Sequence, residues 1–256
     1  MLMAAPLRIY VGWDPRDALA YEVCVHSLKA HASIPVEVVA LKDWELRRRG
    51  VYWRPYSVDR KGQMWDGGGD SVSTQFNLTR FAIPALEDYR GGWVLFCDAD
   101  MLWRADVAEL VNLLEDDKAL MCVRHDHRPD EAVKMDGVRQ TTYPRKNWSS
   151  VMAFNLWRNR ALSKYALNNM SKQWLHRLLW LEDDKIGGLP EAWNWLEGYS
   201  DPAIDPKLVH YTRGSPDMPG HEDAAYADEW YAIAKEIRQG AASGAFFDSV
   251  YARLAP

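Results

Sequence analysis

The sequence predicts an α/β fold, a Rossmann-like mixed and mostly parallel sheet flanked by helices, with further helices at the C-terminal end. Three observations predict it. Two apolar runs, Leu7–Trp13 and Val36–Leu41, enclose a segment with helical spacing. A third run, WVLFC at Trp93–Cys97, leads straight into Asp98-Ala99-Asp100 and then a helical pattern. The 256 residues contain no internal repeat and no second apolar core that would demand a separate domain.

Taken in order, Leu7–Trp13 reads as a buried strand ended by Asp14 and Pro15. Ala18, Tyr21, Val25 and Leu28 then share one face of a helix spanning Arg16 to Ala32. Pro35 introduces the strand Val36–Leu41, and strand–helix–strand implies a right-handed crossover between parallel strands. Lys42 to Ser73, rich in Arg, Trp and Gly, reads as a long surface loop, either a functional lid or a mobile connection. Ser73 or Thr74 caps a helix running to about Tyr89, which Pro84 must kink or divide. Gly91 and Gly92 stop it ahead of the strand Trp93–Cys97. Val107, Leu110, Val111 and Leu114 mark the next helix, and Lys118–Val123 the next strand. Arg124–Lys146 is polar and loop-like, and Val151–Leu156 is a strand. Residues 161–181 hold two helical pieces, the second being Ser171–Leu181. Lys207–Tyr211 is a short last strand, and the tail from His221 reads as helices separated by Gly240 and Gly244.

Composition narrows the function. Hydrophobic residues make up 48% and charged residues 26%, ordinary globular values. A net charge of −5 carries no basic stripe, which speaks against a general nucleic-acid binder; Arg47-Arg48-Arg49 reads as a solvated face. No apolar run is long enough to span a bilayer and no signal-peptide pattern opens the chain. Cys24, Cys97 and Cys122 sit in apolar contexts without zinc spacing, so reduced, buried thiols and a soluble cytoplasmic protein are expected. The 13 tryptophans read first as core and interface fillers, with stacking on sugar faces as the second reading.

The strongest local feature is Phe96-Cys97-Asp98-Ala99-Asp100. An apolar strand delivers two carboxylates at its carboxyl end, the edge where open α/β sheets bind ligands. Two such carboxylates suit a hard cation, Mn²⁺ or Mg²⁺, that bridges protein oxygens to substrate phosphates. The other reading of an Asp-x-Asp turn is a capping aspartate on the surface.

Several segments together resemble glycosyltransferase family 8, whose fold is GT-A. They are IYVGWDPRDALAYEVCVHSL, STQFNLTRFAIPAL, FCDADMLW, NWSSVMAFN, LEDDKIGGLPEAWNWL and HYTRGSPD, patches that cover about residues 7–216. The resemblance implies a single GT-A domain over 1–256, with 217–256 as a C-terminal helical extension. It implies a metal held by Asp98, Asp100 and His210. It implies donor contacts from Tyr10, Gly12, Trp13, Asp14, Arg80, Ala99, Ser149, Ser150, Gly214 and Ser215. Arg80 would reach both the donor and the acidic pair. Asp183 or Asp184, flanked by Glu182, would work at the reaction centre. Ser149 and Ser150 stand where the family has small Ala-Gly residues, and Ser215-Pro216-Asp217 replaces its Lys-Pro-Trp, leaving Arg213 or the backbone near Gly214 for the diphosphate.

The implied reaction moves a sugar from a UDP-sugar to an acceptor hydroxyl with retention of configuration. The acceptor class stays open among a glycan, a lipid-linked saccharide, a protein and a modified nucleobase. The alternatives are a nucleotidyltransferase that makes nucleotide sugars, a non-catalytic nucleotide-sugar-binding module, and a two-carboxylate glycoside hydrolase. GWDPRD after the first strand carries one Gly, which argues against the first of these.

Overall fold

The computed structural model describes residues 5–60, 62–126, 145 and 147–242. Among the described residues twelve strands and eight α-helices follow in chain order: β1 Leu7–Gly12, α1 Ala18–His31, β2 Val36–Leu41, α2 Asp43–Arg48, β3 Tyr56–Val58, β4 Met64–Asp66, β5 Ser71–Val72, α3 Phe76–Thr79, α4 Ile83–Leu86, β6 Trp93–Cys97, β7 Met101–Trp103, α5 Val107–Val111, β8 Leu120–Val123, β9 Val151–Asn155, α6 Lys164–Asn169, α7 Lys172–His176, β10 Ile186–Leu189, β11 Trp195–Leu196, β12 Leu208–His210 and α8 Ala227–Ala242.

The central sheet has six strands in the order β10-β8-β9-β6-β1-β2. Only β9 runs against the other five, pairing antiparallel with β6 and β8. This is the mixed, mostly parallel sheet flanked by helices that the apolar runs predict. Successive residues of a strand face opposite sides, and β1 shows the consequence. Ile9 and Val11 pack with Cys24 and Leu28 of α1 on one face. Tyr10 packs on the other, among Phe76, Phe81 and Phe96. A second small sheet, β11-β12-β7, joins α1 and α8 through Val23, Leu102, Val209, Tyr211 and Trp230.

Several local expectations shift. The buried stripe of α1 is Ala20, Val23, Cys24, Ser27 and Leu28, not the stripe through Ala18 and Val25, because the helix packs on both the central sheet and α8. The Lys42–Ser73 loop contains α2 and the antiparallel meander β3-β4-β5. The helix expected over 73–89 is divided into α3, a 3-10 turn at Arg80–Ala82, and α4, with Pro84 in the first turn of α4. A missing N–H costs nothing there. The short strands β7, β10 and β11 add to those that the apolar runs predict. Gly240 does not stop α8, since a helix interior tolerates one glycine at about 1 kcal/mol. Gly244 and most of the Arg124–Lys146 loop lie outside the described residues. No helix among the described residues is long and apolar enough to cross a membrane. All three cysteines are free and buried.

Candidate active site

The polarity of the sheet collects the chemistry at one edge. Asp98 and Asp100 leave the carboxyl end of β6, and Ser149 and Ser150 enter β9 beside them, where the Asp98 N–H donates to the Ser150 carbonyl at 3.0 Å. The chain then turns into β7, which pairs antiparallel with β12 in the register Met101↔His210. The Tyr211 N–H donates to the Asp100 carbonyl at 3.0 Å. This short ladder carries His210 to the two aspartates across more than a hundred residues of chain. Ligand atoms of Asp98, Asp100 and His210 lie within 4.8 Å of one another, a grouping that can hold a metal ion. Two carboxylates and an imidazole suit Mn²⁺ or Mg²⁺ better than a thiolate-seeking ion.

Electrostatics favour a cation here. Burial drives the Asp98 carboxyl up to about 6, Asp100 adds to the rise, and Arg80 and His210 oppose it. Asp98 Oδ1 meets Arg80 Nη1 at 2.7 Å as a buried ion pair, and a carboxylate held by one cation keeps lone pairs for a further positive partner. Asp17, at the start of α1, feels the same crowding. Its carboxyl is pushed up to about 7 by burial, then by the charges of Asp100 and Asp14. Nothing in the local sequence singles Asp17 out, since Asp100, the largest charge that acts on it, comes from a distant segment.

Arg80 is 5% exposed and lies between the rings of Phe76 and Phe96. It donates to the carbonyls of Ser149 at 2.9 Å and Phe76 at 3.2 Å. The structure thus unites Arg80, Asp98, Asp100, Ser149, Ser150 and His210. Ala99 is buried between the two aspartates. Ser149 Oγ lies 3.0 Å from His176 Nδ1, whose Nε2 lies 3.1 Å from Asn77 Oδ1. His210 Nδ1 lies 3.0 Å from Asn194 Oδ1. His176 and Asn194 join the site through these long-range contacts; Asn194 lies in the patch LEDDKIGGLPEAWNWL, whereas nothing in its own segment marks His176.

Most of the other residues implied for the donor are engaged within the protein. Tyr10 turns into the core and donates its hydroxyl to Glu87, away from the cluster. Gly12 makes room for a ring: a Cβ there would lie 2.5 Å from Phe76 Cδ2. Asp14 is fully buried and accepts from the N–H groups of Arg16 at 3.0 Å and Gln75 at 2.9 Å, so it caps a turn and ties it to α3. Trp13 alone of this group keeps part of its surface open, with Lys42 Nζ 5.3 Å from its ring. Gly214 takes φ +150° in the turn after β12, and Ser215 Oγ donates to Asp217 at 2.6 Å. Arg213 is held by Glu197 at 2.9 Å.

Asp183 and Asp184 lie apart from the Asp98–Asp100–His210 cluster. They precede β10, which runs parallel to β8 in the register Ile186↔Leu120 and therefore parallel to β6. Residues before a parallel strand lie at the opposite edge from residues after one. The stretch from Val94 to Asp98 alone puts about 13 Å of strand between those edges. Asp183 is exposed and pairs with Arg145, and Asp184 pairs with Lys185 at 2.8 Å. With Glu182, they are surface charges on the far edge.

Asp14 yields a test by pH. Burial alone would raise its pKa, but Arg16 and the N–H groups of Arg16 and Gln75 outweigh burial and hold it below the usual carboxylate value. Its stabilisation is therefore complete above about pH 4, the unfolded value, and is lost as pH falls through the lower folded pKa. Asp14→Asn should cost about 1–3 kcal/mol at pH 7. The gap from wild type should narrow in urea titrations below pH 4, and a gap that widens there would contradict this assignment.

No family model matches the chain. It is 46% identical over 232 residues to Protein CDI of Arabidopsis thaliana, covering 88% of this chain and 85% of that protein. Among solved structures, the bifunctional glycosyltransferase WbbM superposes with a TM-score of 0.61 at 16% identity. That match covers 93% of this chain but 52% of WbbM, so the chain spans about half of WbbM's length. The galactosyltransferase LgtC, solved with donor and acceptor sugar analogs, gives a TM-score of 0.51 at 16% identity, covering 90% of this chain and 96% of LgtC. Mouse xyloside xylosyltransferase 1 gives 0.52 at 13% identity, covering 83% of this chain and 100% of the enzyme. At these identities the likeness establishes the fold, which is that of the GT-A glycosyltransferases.

Proposed function

We propose, from the premise that this chain belongs to the family of Arabidopsis thaliana Protein CDI, that it is a metal-dependent glycosyltransferase of the family 8 type. It transfers a sugar from a UDP-sugar to an acceptor hydroxyl with retention of configuration. The observation that carries the reading is the meeting of Asp98, Asp100 and His210 within 4.8 Å at the carboxyl edge of a GT-A sheet. The catalytic unit is residues 7–216, with 217–256 as a C-terminal extension that carries α8. Free buried thiols support a reducing, cytoplasmic setting.

Asp98, Asp100 and His210 would hold Mn²⁺ or Mg²⁺, which when bound neutralises the charge that grows on a departing nucleoside diphosphate. The protein's own groups do the rest. Arg80 balances one carboxylate charge, so the pair keeps a net attraction for cations without a full double-anion repulsion. Trp13 closes the end of β1 and offers ring surface to a nucleobase. Ala99 lies between the two metal-binding aspartates and Ser215 follows His210 closely, so their backbone N–H groups are the candidates for phosphate oxygens, while the Gly214 N–H closes the turn onto the Tyr211 carbonyl at 3.0 Å. Ser149 and Ser150 hold the site in place through Arg80 and the Asp98 N–H.

The test is a panel of UDP-sugars and other nucleotide sugars with Mn²⁺, read by UDP release and by the anomeric configuration of any product. UDP release that depends on Mn²⁺ is expected with one or a few donors. Absence of turnover with every donor and acceptor tried, or consumption of UTP with a sugar 1-phosphate instead, would replace this reading.

A further inference from the structure

We infer that Asn194 is the positioning residue that fixes which nitrogen of His210 faces the metal site, and that Ser150 links this arrangement to Asp98. The inference deepens the metal-site reading above and rests on it.

The argument is one of proton counting. Asn194 is 0% exposed and is the last residue of the short 3-10 turn Glu191–Asn194 after β10. One end of its amide faces the Asn147 carbonyl at 3.3 Å and Ser150 Oγ at 2.8 Å. A carbonyl can only accept, so the end facing Asn147 must be the NH₂ group. The Ser150 hydroxyl donates its single proton to that same carbonyl at 2.8 Å, so it accepts from Asn194. The amide oxygen is thereby turned toward His210 Nδ1, 3.0 Å away. An amide oxygen accepts, so Nδ1 must carry the proton. In a neutral imidazole Nε2 is then unprotonated. That nitrogen lies on the side of Asp100, 3.6 Å from its Oδ1, and is the one able to ligate a cation.

Ser150 extends the link. Its carbonyl accepts the Asp98 N–H at 3.0 Å while its hydroxyl anchors Asn194. One residue therefore holds the backbone of one metal-binding side chain and, through Asn194, the ring of another. Ser150 is 4% exposed and His210 is 4% exposed, so water competes little for these bonds. Hydrogen bonds to the far nitrogen of a ligating histidine fix its ring and raise its basicity, and losing them typically weakens metal binding about 10–100-fold.

Two measurements test this. In ¹⁵N-histidine spectra of the metal-free protein near pH 8, with His210 identified by its loss in His210→Gln, Nδ1 should be the protonated nitrogen and Nε2 the bare one. A protonated Nε2 overturns the inference. Second, Mn²⁺ binding is followed by electron paramagnetic resonance. Asn194→Leu removes the acceptor and should weaken binding about 10–100-fold. Asn194→Asp keeps an acceptor for Nδ1–H but abandons both donations to Asn147 and Ser150. It should bind Mn²⁺ within about threefold of wild type. Equal loss in the two variants would assign Asn194 a merely structural role, and undiminished binding in Asn194→Leu would remove it from the site. If Asn194→Leu does not fold, the wild-type spectrum and Asn194→Asp still decide. Neither readout uses turnover, so failure of the transferase reading appears separately, as intact Mn²⁺ binding without UDP release from any donor.

Discussion

Asp100→Ala should lower Mn²⁺-dependent UDP release on the order of a thousandfold while the protein stays folded. The size follows from what the side chain does. A divalent cation supplies several kcal/mol of charge stabilisation to a leaving diphosphate, and each 1.36 kcal/mol is about tenfold in rate. Asp100 is the accessible member of the acidic pair, with 30% of its side chain exposed, so its removal leaves no buried charge behind. It also relieves the repulsion that helps to raise the Asp98 carboxyl. Circular dichroism and the melting temperature should therefore be unchanged or slightly improved, which separates lost chemistry from lost fold. His210→Ala should show a smaller loss, since two carboxylates remain. Full metal-dependent turnover in Asp100→Ala would reject the site.

Arg80→Met carries the largest expected effect on stability. The guanidinium is buried, touches Asp98 at 2.7 Å, and satisfies the carbonyls of Ser149 and Phe76. Removing one partner of a buried ion pair leaves an uncompensated charge and typically costs about 3–5 kcal/mol. For a chain of this size that corresponds to a fall in melting temperature of about 10 °C. Asp98→Asn added to Arg80→Met should recover a large part of the loss, because the stranded charge is gone, and the double-mutant cycle measures the coupling directly. Mn²⁺ should stabilise Arg80→Met as well, by mass action on the folded state. Unfolding of Arg80→Met within about 1 kcal/mol of wild type in urea would show that the pair is not coupled as described.

The contrast between Asp98 and Asp183 shows where sequence reading stops. Both lie in short acidic clusters, Asp98-Ala99-Asp100 and Glu182-Asp183-Asp184, beside apolar runs. Asp98 follows its strand and Asp183 precedes one, and only the direction of β10 in the sheet converts that difference into opposite edges. The same holds for β1. Tyr10, Gly12 and Asp14 sit in the expected strand end, yet the alternation of strand faces gives Tyr10 to Glu87 and Gly12 to Phe76. The depth of the turn gives Asp14 to backbone N–H groups. Asn194 is legible only as part of a motif, since its partners Asn147 and Ser150 come from one distant segment and His210 from another.

By itself the sequence determined the strand–helix–strand start, the delivery of Asp98 and Asp100 at a strand end, the break at Pro84 and the terminal strand bearing His210. These depend on apolar periodicity and backbone chemistry within a few residues. Only the tertiary structure decided that β7 folds back on β12 and brings His210 to the aspartates, that Arg80 lies in ion-pair contact with Asp98, and that Glu182, Asp183 and Asp184 face away. Strand pairing and direction are settled by which distant apolar faces bury one another, and no local window of residues contains that information.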